Sequence, residues 1–358
     1  MDEPFSLQSI RCRAPAFRRR AAAVLGTLIF IFCMAAPAYA AVSSAGSVSG
    51  QSRTLVPLGR AVGVKLFSDG LLVVNLSESV TEDGTASPAR QCGIRTGDVL
   101  LELNDEDLKS TEQLQTALQK NGAQSVSLTV KRGARTLSLE ATPESGADGV
   151  YRLGAWVRDS MAGIGTMTYY DPQTGTFGAL GHGITDVDTA QLMPISSGAL
   201  MYADVASVKK GHSGTPGELT GDFKPSQELG ELTCNASSGI FGTLSDTSMA
   251  SGEALEVARR DEVKCGNAVI LSNIRGDKVE EFSIKITKIM ENEGGGRDML
   301  IRVTDQRLLS STGGIVQGMS GSPILQNGKL VGAVTHVLVS DPTKGYAILM
   351  EHMLEAEP

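Results

Sequence analysis

Basic residues are in short supply along this chain: 32 Lys and Arg stand against 40 Asp and Glu, a formal charge of −8. The first forty residues hold five Arg against Asp2 and Glu3, so the remainder carries about −11 by subtraction. That balance opposes a phosphate backbone, and nucleic acid is not expected as a partner. Histidines number only four, and no C-x-x-C, H-E-x-x-H or clustered His pattern occurs, so neither a metal nor another cofactor is expected. The five cysteines build no disulfide framework: Cys12 and Cys33 lie near the N-terminus, Cys92 is isolated, and nothing in their spacing joins Cys234 to Cys265. Aromatic residues are 4% of the chain, with one Trp. The apolar run Ala21 to Ala36 is sixteen residues, short of the roughly twenty that span a bilayer.

What is present is glycine, 41 residues of it, with charged residues at 20% and hydrophobic residues at 41%. This composition predicts a turn-rich, mainly β globular chain rather than a disordered one. Residues 1–40 read as a signal peptide or membrane anchor, because Arg18-Arg19-Arg20 precede the apolar run and Ala38-Tyr39-Ala40 follows at cleavage spacing. Export, and a membrane contact through this segment, are therefore expected. Residues 41–54 are Ser/Gly-rich without periodicity and read as a flexible linker. Two domains are expected beyond it, at 55–145 and 146–358.

In the first domain, short apolar strands are predicted at 61–67, 71–76, 99–103, 125–131 and 136–141, with one helix at 110–120 that starts at Ser110 and stops near Gly122. The segment from Ser87 to Asn104, S-P-A-R-Q-C-G-I-R-T-G-D-V-L-L-E-L-N, closely resembles the central motif of bacterial PDZ domains. The resemblance implies binding of an extended peptide by strand addition, with loop amides holding a carboxylate. The matching loop is Gly59 to Val64, which makes Val62, Gly63 and Val64 the candidate peptide-binding residues.

The second domain carries G-G-I-V-Q-G-M-S-G-S-P-I-L-Q-N-G-K-L-V-G-A-V-T-H from Gly313 to His336. Glycines on both sides of Met319-Ser320 permit a sharp turn that exposes Ser320 as a nucleophile and leaves the N–H groups of Gly318 and Ser320 for an oxyanion. Pro323 then opens a strand, and Asn327-Gly328 reads as a two-residue hairpin turn. The order resembles the nucleophile region of chymotrypsin-like serine peptidases. Upstream, G-A-L-G-H-G-I places His182 between two glycines, and a neutral imidazole is what a serine hydroxyl needs to lose its proton. Gly211 to Pro216, G-H-S-G-T-P, repeats the nucleophile pattern around Ser213. His212 and Ser213 are adjacent, however, and adjacent side chains on a strand point to opposite faces. Six residues before Ser320 stands Gly314, where trypsin-like enzymes place a pocket acid, so a charge at that point does not select Arg or Lys.

Taken together, the PDZ-like segment, W-V-R-D-S-M-A-G-I-G-T, G-A-L-G-H-G-I-T-D-V-D-T and T-G-G-I-V-Q-G-M-S-G-S-P-I resemble the SpoIVB-type serine peptidases of endospore-forming Firmicutes over nearly the whole chain. The resemblance implies an N-terminal PDZ domain followed by a chymotrypsin-like double β-barrel. It also implies a triad of Ser320, His182 and Asp305, the last lying fifteen residues before the serine, with Asp186 and Asp188 as competing carboxylates and Thr335 as a supporting hydroxyl. The function implied is an exported endopeptidase acting between the two membranes of a developing spore. It would cleave itself and a membrane-bound inhibitor of an intramembrane metalloprotease, leading to activation of a late mother-cell sigma factor, with the PDZ engaging its own N-terminal region. Two other readings stand beside it: a catalytically inactive PDZ scaffold, and a general extracytoplasmic quality-control protease, whose relatives usually place the PDZ after the catalytic domain.

Overall fold

The computed structural model describes residues 53–81, 84–290 and 295–358; the expected targeting segment and all but the end of the expected linker lie outside them. Strand β1 (Thr54–Leu76) belongs to two bodies in succession. Its first part buries Val56, Leu58, Val62, Val64 and Leu66 in one core, and its last part sends Leu71 and Val73 into another. Between them Gly70 takes φ 91°, a left-handed kink that glycine adopts without a Cβ penalty.

The second of these bodies is the PDZ-like unit. It contains α1 (Pro88–Cys92), β2 (Val99–Leu103), α2 (Thr111–Asn121), β3 (Val126–Arg132) and β4 (Arg135–Ala141). Helix α2 starts where its sequence predicts: the Ser110 side chain accepts from the Gln113 N–H, and the Gly122 N–H closes on the Leu118 carbonyl. Leu114 and Leu118, one turn apart, are its buried face. On β3, Val126, Leu128 and Val130 alternate inward. Buried Asp98 joins the sheet to the helical side through the Arg132 guanidinium, at 2.6 and 2.7 Å, and through the Arg95 N–H.

The chain then returns along β5 (Ala155–Tyr170), antiparallel to β1 from Leu76↔Ala155 to Val56↔Tyr170. With β6 (Thr176–Ala179), β7 (Ser197–Lys209), β8 (Glu218–Ala236) and β9 (Gly239–Leu244) these strands close a ring in the order β1-β5-β6-β9-β8-β7, since β1 also pairs with β7. A second closed barrel follows: β10 (Gly266–Arg275), β11 (Lys278–Ile289), β12 (Met299–Val303), α3 (Gln306–Thr312), β13 (Pro323–Gln326), β14 (Lys329–Val337) and β15 (Lys344–Leu349), the strands ordered β10-β11-β12-β15-β14-β13. Helix α4 (Met350–Leu354) ends the chain. Leu55, Tyr169 and Phe241 of the first barrel share one buried cluster with Leu330, Ala333 and Ile348 of the second and Met350 and Met353 of α4. The expected fold class holds: mainly β, a PDZ unit and a peptidase domain of two β-barrels.

One boundary differs from expectation. Residues 55–67 are the first strand of barrel one, not the start of the PDZ, so the PDZ unit is inserted between the barrel's first two strands. Val62, Gly63 and Val64 pair with Gly165, Ile164 and Gly163 on one edge and with Tyr202, Met201 and Leu200 on the other. With both edges occupied they offer no amide to a peptide carboxylate. Gly63 serves packing instead, because a Cβ there would lie 2.5 Å from the Phe223 ring. Burying each of Val56, Leu58, Val62, Val64 and Leu66 is worth roughly 1.5–3 kcal/mol, and a one-residue slip would turn these residues away from the core they share.

Candidate active site

Ser320 stands on the turn that enters β13. Gly318 and Gly321 adopt φ 96° and 97°, and at Gly321 a Cβ would come within 2.0 Å of the Thr166 carbonyl and 2.6 Å of the Leu180 nitrogen. Only glycine lets this turn press against barrel one. The turn is held on both sides: Gly321 N–H donates to Val334 O at 2.7 Å, Thr166 N–H to Ser320 O at 3.0 Å, and Thr166 Oγ1 to Gly318 O at 2.7 Å. Leu219 N–H occupies the Gln317 carbonyl at 2.8 Å, and Ser322 N–H occupies the Met319 carbonyl at 3.0 Å. In a trans peptide the N–H points opposite its carbonyl, so the Gly318 and Ser320 N–H groups are turned away from these bonds. Neither meets an acceptor among the described residues. Two free N–H groups flanking a serine are the donors an oxyanion requires. The Ser320 hydroxyl itself donates to Thr335 O at 2.6 Å.

His182 comes from the loop that leaves β6. Leu180, a non-glycine at φ 69°, turns the chain there, and its N–H is bonded to Thr166 O at 3.1 Å. Thr166 thus ties the serine turn and the start of the histidine loop to one residue of β5. The His182 Nδ1 lies 2.9 Å from Gly183 O; a carbonyl only accepts, so Nδ1 carries the proton and Nε2 keeps its lone pair. Burial holds the His182 pKa below the usual histidine value, against the opposing pull of the Gly183 carbonyl, and a neutral imidazole is the form that acts as base. Farther along the loop, Asp186 is fully buried and accepts from Asp188 N–H, Thr189 N–H and Thr189 Oγ1. Its other oxygen pairs with Arg158 of β5 at 2.8 Å, a charge contact without hydrogen-bond alignment. Asn235 completes the brace through the Ile184 N–H and the Ile184 and Met193 carbonyls.

The expected third member stands elsewhere. Asp305 caps α3, accepting from Arg307 N–H at 2.9 Å and Ser283 N–H at 3.3 Å and pairing with the Arg307 guanidinium, which holds its carboxyl down near about 2. It makes no contact with His182. Asp186 and Asp188 order their own loop and pair with Arg158. Beside His182 the structure places His336, which its sequence setting marks as structural or exposed, with ring centroids 4.9 Å apart and planes at 33°. It follows Thr335, whose carbonyl receives the Ser320 hydroxyl and whose own hydroxyl donates to Gly296 O at 2.6 Å. The signal available was position: the hairpin through Asn327-Gly328 runs β14 back past the nucleophile.

The other singled-out positions resolve simply. Gly314 is packed so tightly that a Cβ would lie 2.1 Å from the Pro342 carbonyl, which excludes any side chain at that point. Ser213 donates to Ser340 O at 2.8 Å, and its loop carries the nucleophile segment, with Gly211 N–H on Thr312 O and Gln317 N–H on Gly217 O. Cys234 and Cys265 are free thiols. In the PDZ unit, a groove of about 290 Å³ runs between α2 and the start of β5, lined by Leu114, Leu118, Gly154 and Trp156 among others. Trp156 is 63% exposed there. Ala155 to Val157 pair with β1 on one edge and, among the described residues, with no strand on the other, the open edge that strand addition uses.

No curated protein matches the chain significantly. Among solved structures, the PDZ domain of the SdrC-like protein Lmo2051 from Listeria monocytogenes is similar at 18% identity over 25% of this chain and 87% of that one, with a TM-score of 0.21. The Rv3671c protease from M. tuberculosis in its active form is similar at 14% identity over 55% of this chain and 73% of that one, with a TM-score of 0.34. Its inactive form gives 13% identity, 54% and 82% coverage, and a TM-score of 0.32. The PDZ domain family matches residues 80–132. The SpoIVB peptidase S55 family matches residues 149–354, more than half of the chain, and the chain belongs to that family of serine peptidases.

Proposed function

We propose that the chain is an exported serine endopeptidase that cleaves itself and a membrane-bound regulator in the space between the two membranes of a developing spore. The reading rests on the family and on one observation: Ser320 sits on a turn whose Gly318 and Ser320 N–H groups are free, with the His182 loop tied to the same Thr166. In this scheme Ser320 Oγ leaves the Thr335 carbonyl and attacks the scissile carbonyl carbon. His182 Nε2 takes the hydroxyl proton and returns it to the leaving amine, and the two N–H groups hold the oxyanion; each such donor is worth about 3 kcal/mol of barrier. The PDZ unit takes an extended peptide along the open edge of β5, either the chain's own N-terminal region or the regulator. By resemblance, that regulator is an inhibitor of an intramembrane metalloprotease, and the cut signals activation of a late mother-cell sigma factor.

The test is to incubate the full chain beside Ser320→Ala and follow intact mass, with unfolded casein as a second substrate. Self-shortening in the wild type alone is expected, with a loss of at least about 10⁴-fold in the variant and little attack on casein. A processed Ser320→Ala chain defeats the assignment of the nucleophile, and broad casein degradation favours a quality-control enzyme.

A further inference from the structure

The base His182 has no carboxylate neighbour among the described residues, yet an imidazolium formed in the reaction needs something to take up its charge. Its Nδ1 proton goes to a neutral backbone carbonyl. What lies against its ring is His336, at a separation and tilt typical of contacting aromatic rings. The His336 Nδ1 is buried and bonds to nothing, which is costly for a polar atom unless it serves something. The groups around His336 are His182, Arg297 at the barrel-two loop and Tyr346, its register partner on β15. Burial, the adjoining His182 and the Arg297 charge push its pKa down to about 4, so its ring is uncharged near neutral pH.

Resting on the assignment of Ser320 and His182 above, we infer that His336 is the positioning residue of this site: with Nδ1 of His182 held by the Gly183 carbonyl, the ring of His336 packs against the ring of His182, fixing it and stabilising the imidazolium. In the step itself the proton passes from Ser320 Oγ to His182 Nε2 as the Oγ–carbon bond forms, and from Nε2 to the leaving nitrogen as the peptide bond breaks. No proton reaches His336. Its Nδ1, buried and without a hydrogen-bond partner among the described residues, is a lone pair in the tautomer protonated at Nε2, and an uncompensated partial negative charge on the ring next to His182 stabilises a cation there. Thr335, one residue before it, holds the hydroxyl of the nucleophile at rest, so one stretch of β14 addresses both partners of the proton transfer.

The experiment compares His336→Phe, His336→Gln and Asp305→Asn in the full chain. The Phe variant preserves ring and volume without nitrogen, the Gln variant restores an acceptor, and Asn caps a helix as well as Asp does. A fluorophosphonate label at Ser320 and kcat/KM against pH for a peptide substrate are the readouts. His336→Phe is expected to lower kcat by about a hundredfold at unchanged KM and to move the acid limb to lower pH, because the imidazolium loses its stabilising neighbour. His336→Gln regains part of this, and Asp305→Asn stays within about threefold of wild type. Since His336→Phe acts on packing as well, the His182 ring is also titrated by NMR in a Ser320→Ala background, where His336→Phe lowers its pKa. An unchanged His182 titration, or an Asp305→Asn chain that is inactive while His336→Phe is active, overturns the inference. Absence of any label at Ser320 in the wild type overturns the nucleophile assignment and this inference with it, whereas labelling with an unaltered His336→Phe profile overturns the inference alone.

Discussion

The two barrels contribute to the proposed site by different means. Barrel two supplies Ser320 from a contiguous stretch, 266–349, in which β13 and β14 form a tight hairpin and the nucleophile turn is bonded on every side. Barrel one supplies His182 from a strand-poor loop between β6 and β7, and its first two strands are separated by the whole PDZ unit. A turn of adjacent backbone bonds fixes the nucleophile. The loop depends instead on side-chain contacts from afar, Asp186 to Arg158 and Asn235 to Ile184, together with a backbone bond from Leu180 N–H to the Thr166 carbonyl. The contrast teaches that precision in the proposed nucleophile is local, while precision in the proposed base is borrowed from β5.

The most severe way to break this contrast is at Gly321, where the barrels touch. Gly321→Ala meets the Thr166 carbonyl at 2.0 Å, and a loss of about 3–5 kcal/mol is expected in denaturant unfolding, with activity abolished. Next comes the brace of the histidine loop. Asp186→Ala leaves Arg158 without its buried partner and should cost about 2–3 kcal/mol, with hydrogen exchange accelerated across 183–192 but not across 316–322. Equal acceleration in both segments would show that the two regions are one unit after all. Thr166→Val removes the bond to Gly318 O and is expected to cost about 1–2 kcal/mol, lowering kcat about tenfold as the oxyanion turn loosens. The smallest effect is expected at Ser213, whose hydroxyl only reaches the Ser340 carbonyl. Ser213→Ala should shift stability by no more than about 0.5 kcal/mol and leave hydrolysis unchanged; lost activity there would revive the second G-x-S-G-x-P motif as a nucleophile.

Legibility in the sequence follows the same division. The Ser320 turn, the Asn327-Gly328 hairpin and helix α2 with its Ser110 cap are local patterns, and local chemistry dictates them. The membership of Thr54 to Phe67 is not local: alternating apolar residues around Gly63 suit a PDZ strand and a barrel strand equally, and only the distant partners β5 and β7 decide. Asp305 carried a readable alternative, since Asp305-Gln306-Arg307-Leu308-Leu309 begins like a capped helix, and capping is what its carboxylate does. His336 beside His182 was beyond such reading, because residues 154 positions apart in sequence meet only when both barrels have closed.

The sharing of β1 sets a floor to how far this protein can be shortened from its front. Arg53 is clasped by Asp171 and by Glu357 near the opposite terminus, and Thr54 opens the strand wedged between β5 and β7. A cut before Arg53 frees the remainder from whatever precedes it and leaves every barrel strand in place. A cut a dozen residues later removes a stave from the first barrel and takes the seat of the histidine loop with it. Whether the first barrel keeps its opening stave or loses it is therefore decided within about a dozen residues of Arg53.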